Sequence, residues 1–179
     1  MAEAAPRIPK ALASAVPILR IVRFPVLLPT EFDGIDLDRD HMHVPVNASR
    51  HHYTVIIDAA TPSCGGVSQN VCAPGSIEGY DATYREANAE FLDSVAPRTP
   101  EAGDERYIYS HKRILDMPVT LAHGLTGFYT ESPSGADEGG SSSLRWNDHG
   151  IEYLITTRIS TRVRLTRIAN SAIRNGPIF

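Results

Sequence analysis

His41 and His43 alternate as same-side residues of a strand would, and His51-His52 follow a turn-rich stretch. Imidazoles from two paired strands can thereby converge on copper, nickel or zinc, and a metal-dependent hydrolase using His41, His43 and His51 is the enzymatic reading of the chain. The plainer reading leaves them as hairpin surface histidines. Asp33, Asp36, Asp38 and Asp40 resemble the first half of a calcium loop, whose hard oxygen ligands suit that ion. The glycine such a loop needs is missing, because His41 follows Asp40, and Asn47 stands where the closing Glu belongs. A solvated turn is expected there. Ser63, Ser68 and Ser76 lie in a chain with seven histidines, yet no Gly-x-Ser-x-Gly elbow presents any of them as a nucleophile. Glu86 and Glu90 share one helical face, where a solvated pair is commoner than an acid and base couple. Gly65-Gly66 and Gly139-Gly140 lack the Lys and the strand-to-helix context of a phosphate loop, so no cofactor is expected.

The two cysteines, Cys64 and Cys72, enclose Gly65-Gly66-Val67-Ser68-Gln69-Asn70-Val71. Neither a second cysteine pair nor a histidine at zinc-finger spacing accompanies them, so a disulfide closing a short loop is the expected arrangement. Such a bridge is worth about 2.5 kcal/mol in the chain-entropy account. It implies an oxidising compartment; two reduced thiols in a cytosolic protein are the alternative. A loop held this way loses little freedom on binding, which makes Ser68, Gln69 and Asn70 candidate contact residues. The Gly/Ser-rich stretch from Ser132 to Ser143 is a second candidate contact loop.

The elements that must position these groups are clearest in the last third. Asn147, Asp148 and Gly150 are turn formers between two strand-like runs, and Ile151, Tyr153 and Ile155 alternate with Glu152, Leu154 and Thr156. Trp146 and Tyr153 can meet across the pair, and with Phe128 they can line a pocket for a small apolar ligand. Trp146 and Tyr153 are therefore also candidate binding residues. Leu165, Ile168, Ala169, Ala172 and Ile173 follow helical spacing after Ser160 or Thr161 as N-cap, and Gly176-Pro177 ends the run. Arg162, Arg164, Arg167 and Arg174 fall outside the apolar stripe, as a solvated basic face. Further elements expected are a short helix over 8–16 ended by Pro17, a strand over 24–28, and a hairpin pairing His41 to Val46 with His51 to Ile57 around 47–50. A helix carrying Tyr84, Ala87, Phe91, Leu92 and Val95 follows, ended by Pro97, and 97–105 reads as an open loop.

The order strand, Trp, short turn, Gly-x-x-Tyr strand and helix with Ile-Ala-x-Ser resembles the C-terminal end of domains of unknown function. Those domains occur in exported bacterial lipoproteins and in the extracytoplasmic part of membrane-bound anti-sigma factors. The resemblance rests on Trp146, Gly150, Tyr153, Ile168, Ala169 and Ser171, with Pro25 to Pro29 similar to an opening strand. Val119-Thr120-Leu121 and Gly124 to Gly127 look like a penultimate strand. It implies an exported module without an assigned activity. The Cys64 to Cys72 loop and the stretch from Tyr80 to Arg113 depart from that pattern.

At 179 residues and 42% hydrophobic the chain can bury a real core as a single domain over 1–179, with 1–23 as a helical extension and 24–179 as sheet plus helix. A net charge of -4 argues against broad nucleic-acid binding. The apolar stretch from Ala11 to Leu28 is interrupted by Pro17, Arg20, Arg23 and Pro25, short of a secretory h-region or an integral membrane span. Met1 then reads as a start placed before a mature exported chain, in the periplasm or outside the cell. The fold expected is α+β, a curled antiparallel sheet with the amphipathic C-terminal helix on one face and one or two short helices. The function expected is a non-enzymatic binding or sensing module of the bacterial cell envelope, contacting a protein or ligand. An inhibitor or immunity protein against a secreted enzyme is the neighbouring alternative.

Overall fold

The computed structural model describes residues 5–32, 35–38, 43–57, 75–82, 117–131, 141–158 and 160–179. Among the described residues, seven antiparallel strands form one sheet: β1 (Val46–Ala48), β2 (His52–Ile57), β3 (Gly75–Asp81), β4 (Met117–Thr120), β5 (Thr126–Glu131), β6 (Ser141–Asp148) and β7 (Ile151–Arg158). Their order is β1-β2-β3-β7-β6-β5-β4. Two meanders, β1 to β3 and β4 to β7, are thus zipped together where β3 meets β7. The fold is α+β, with α2 (Arg162–Asn175) lying on one face of the sheet and contacting β6 and β7.

Period-two alternation sorts the side chains into an inner and an outer face. Tyr53, Val55 and Ile57 of β2 stand across from Gly79, Ile77 and Gly75 of β3, which in turn face Tyr153, Ile155 and Thr157 of β7. Trp146 pairs with Tyr153 and stacks on it at 5.3 Å. The β6–β7 connection is a two-residue turn with His149 and Gly150 both at positive φ, the geometry that matches strand twist in a tight hairpin. Asn147 closes it by accepting the Gly150 N–H at 3.2 Å through its side chain. Helix α2 forms as its grammar predicts. Thr161 caps it by accepting the Arg164 N–H, the five apolar stripe residues are all buried, and Gly176 ends it at φ 75.

The N-terminal part covers the other half of the inner face. A 3-10 turn (Lys10–Ala15) runs straight into α1 (Val16–Leu19), so Pro17 does not end a helix but opens one, in a first turn where its missing N–H leaves no bond unmade. Residues 24–28 are likewise not a strand of the sheet. They cross the inner face with one bridge, Leu27 to Pro177, beside which the Val26 carbonyl accepts the Ile178 N–H, and side chains serve the polar groups of Pro25, Leu27 and Leu28. Tyr53 donates to the Leu27 carbonyl at 3.0 Å and accepts its N–H at 3.3 Å, while Tyr153 donates to the Pro25 carbonyl at 2.8 Å. The side chain of Asn175 accepts the Arg7 N–H and donates to the carbonyls of Arg7 and Leu28, tying this segment to the end of α2.

Two strand expectations are also corrected. The first hairpin turns at Ser49 to His51, not at 47–50, and β1 begins only at Val46 because Pro45 has no N–H to give a ladder. Val119 to Gly127 is not one strand but the hairpin of β4 and β5, broken by His123 and Gly124 at positive φ.

Candidate functional site

One end of the sheet gathers the roots of both loops that the sequence singles out. Ile57 pairs with Gly75, Gly75 with Thr157, Thr157 with Ser142, and Ser142 with Glu131. Ser141 to Ser143, expected as the end of the Gly/Ser-rich loop, belong instead to β6, and the residues bracketing 58–74 and 132–140 lie within one residue of a common register line. β7 alone separates the two brackets, and two strand spacings amount to roughly 10 Å. Cys64, Ser68, Gln69, Asn70 and Cys72 lie outside the described residues.

This end is rich in hydroxyls on both faces. Outside, Ser76, Thr156, Ser143 and Thr130 make an unbroken cross-strand row over four adjacent strands. Inside, Tyr129 donates toward Ser142 Oγ at 3.3 Å and the Ser160 carbonyl at 3.4 Å. Thr157 Oγ1 and Ser160 Oγ are buried there with no hydrogen-bond partner among the described residues. Buried hydroxyls are nearly always bonded, so this end of the core is polar in a way the packing of β7 and α2 alone does not require.

A second polar group sits mid-sheet on the outer face. Glu78 accepts from Ser76 at 2.9 Å and from Tyr80 at 2.8 Å, one hydroxyl to each carboxylate oxygen. His52 stacks on Tyr80 at 4.3 Å, and its Nε2 lies 2.9 Å from Thr54 Oγ1. Burial lowers the His52 imidazole from its ordinary value, with the Glu78 charge partly opposing. Burial, then Glu78, pushes the Tyr80 phenol far up. Among the described residues no histidine hydrogen-bonds Ser76, whose hydroxyl is directed to Glu78 instead. The period-two run Ser76-x-Glu78-x-Tyr80 is the sequence signal that marks this group, and the two glycines of β3 disguise the strand that carries it.

The remaining candidates fall apart spatially. Trp146 and Tyr153 are 1% and 2% exposed, inside the core on the inner face, with burial raising the Tyr153 phenol. Phe128 stands on the outer face, 39% exposed, beneath the Arg145 guanidinium at 5.6 Å. Register thus keeps Phe128 away from the Trp146–Tyr153 pair, and the three do not line one pocket. His43 is exposed, His51 Nδ1 lies 3.3 Å from Asp81, and His41 lies outside the described residues. No group of three His, Cys, Asp or Glu side chains among the described residues is arranged to hold a metal ion. Asp38 pairs with Arg7, and Asp36 accepts the Asp38 N–H, while Asp33 and Asp40 lie outside the described residues. So do Ser63, Glu86, Glu90 and the helix expected from Tyr84 to Val95. No helix among the described residues is long and apolar enough to cross a membrane.

No protein-family model, curated protein or solved structure matches the chain.

Proposed function

We propose that the chain is an exported, non-enzymatic binding or sensing module of the bacterial cell envelope that engages a protein or ligand through loops 58–74 and 132–140. The observation that carries this reading is the common root of the two loops, within one residue of a common register line and two strand spacings apart. Loops rooted on a rigid sheet end are presented together at little entropic cost, and a Cys64–Cys72 bridge lowers that cost further. Polar hydroxyls between the roots suit a contact surface that must stay wet when free.

The test is capture from envelope extract, read by mass spectrometry, with three forms of the chain. These are the wild type, Cys72→Ser, and a form with 132–140 replaced by a short Gly-Ser turn. Both altered forms are expected to lose the same captured species while the near-ultraviolet signal of Trp146 is retained. Undiminished capture by both would overturn the proposal. A captured secreted enzyme whose activity falls as the chain is titrated in would make the module an inhibitor.

A further inference from the structure

The corner of the molecule around α1 and the β1–β2 turn carries a surface that the loop end does not explain. Ile18 and Ile21 are 49% and 52% exposed, while their neighbours Leu19 and Val22 are buried. Between and beside them stand Arg20 and Arg23, both exposed. The Arg23 N–H donates to the Arg50 carbonyl at 3.0 Å, and α1 lies against β1, so exposed Arg50 joins the same corner. Two bare branched aliphatics interleaved with three arginines are an unusual surface for a chain of net charge -4.

Among the described residues the charge on this corner is uncompensated. Arg7 pairs with Asp38 and Arg167 with Glu31, whereas no acid among the described residues pairs with Arg20, Arg23 or Arg50. Among the described acids at the same end of the sheet, Asp81 is engaged with His51, Asp148 with His149 at the β6–β7 turn, and Glu152 accepts from the Asn147 side chain. Isolated exposed aliphatics need no explanation, but aliphatics ringed by unpaired cations have the make-up of an interfacial membrane contact. Ile side chains enter the boundary of headgroup and acyl chain, and guanidinium groups meet lipid phosphate, which they bind in a forked geometry.

We infer that Ile18, Arg20, Ile21, Arg23 and Arg50 form a docking surface for an anionic phospholipid bilayer. The surface lies at the opposite end of the sheet from the roots of loops 58–74 and 132–140, because β2 runs from the Arg50 turn to Ile57. A chain seated on lipid by this corner has the roots of those two stretches at the end of the sheet remote from the membrane. The inference rests on the surface alone and stands whether or not the loops bind a partner.

Co-sedimentation of the full chain with phosphatidylcholine vesicles, with and without phosphatidylglycerol, tests it. Binding is expected only to the anionic vesicles and is expected to weaken with salt. Replacing Arg20, Arg23 and Arg50 by Ala is expected to weaken it roughly 100-fold, at about fivefold per arginine. The double change Ile18→Ser and Ile21→Ser is expected to cost roughly tenfold through lost apolar burial. Should the triple variant fold poorly, the single reversal Arg50→Glu at an exposed turn position tests the same point. Equal binding to both vesicle types, binding to neither, or an unaffected arginine variant overturns the inference. Capture by poly-glutamate without vesicle binding assigns the corner to an acidic protein instead and overturns it equally.

Discussion

Tyr53 shows how much of this fold hangs on single atoms. Its ring fills the space over Gly79, where an added Cβ would lie 2.3 Å from Cε1. The phenol cannot swing aside, because its hydroxyl both donates to and accepts from the Leu27 backbone. Gly79→Ala is therefore expected to destabilise the chain by about 1 to 3 kcal/mol, the cost of overpacking a full core, read as a lowered urea midpoint. The same residue governs alkaline stability. Burial raises the phenols of Tyr53, Tyr80 and Tyr153 above their ordinary value of 10.0, with added repulsion from Tyr153, Glu78 and Asp148 respectively. The unfolded chain gives up these protons near pH 10 while the folded chain keeps them. Stability is thus fully present below that pH and falls above it, by at most about 1.4 kcal/mol per pH unit for each tyrosine. Urea titrations between about pH 9 and about pH 11 check this, and Tyr53→Phe is expected to flatten the slope. A midpoint constant across that range would show that these phenols ionise freely in the folded chain.

At the scale of elements, what the sequence made legible was whatever is local. The β6–β7 hairpin and α2 announce themselves because turn chemistry, alternation and helical spacing all lie within thirty or so consecutive residues. The Trp146–Tyr153 contact followed from register alone. β3 is not legible locally because its glycines depress strand propensity, and Gly79 is there for the ring of Tyr53, a residue on another strand. Val119-Thr120-Leu121 and Gly124 to Gly127 look like one strand because nothing local marks His123 as a positive-φ position, and Pro118 is tolerated in β4 because that strand lies at the sheet edge. The outer-face group around Glu78 is hidden for the same reason as β3. The turn of the readable hairpin still carries an imperfection, since His149 occupies a positive-φ position that Asn fills better. With its side chain 95% exposed, His149→Asn is expected to raise stability by a few tenths to about 1 kcal/mol, despite losing the contact with Asp148. Equal or lower stability in thermal unfolding would mean that this contact outweighs the backbone preference.

The whole molecule depends on a union that no local signal foretold, the pairing of β3 with β7 and the covering of that seam from two directions. Helix α2 covers the β6 and β7 side, while the strap of 24–28 is held over β2 and β7 by two tyrosine hydroxyls. The first 23 residues read from the sequence as an extension, yet Ala11, Leu12, Ala15, Leu19 and Val22 belong to the same hydrophobic cluster as Trp146 and Ile168. Leu12 and Leu19 are fully buried, and burying such side chains is worth about 1.5 to 3 kcal/mol each. Adding Val22 and the alanines, their loss approaches the entire stability of a domain, about 5 to 15 kcal/mol. Removal of residues 1–23 would also strip the anchor that Asn175 gives Arg7 and expose the inner face of β2. The shortened chain is accordingly expected to lose cooperative urea unfolding and the near-ultraviolet signal of Trp146, not merely to shift its midpoint. A sharp transition with an unchanged m-value in that chain would show that the sheet and α2 suffice, and that the N-terminal part rides on a core already complete.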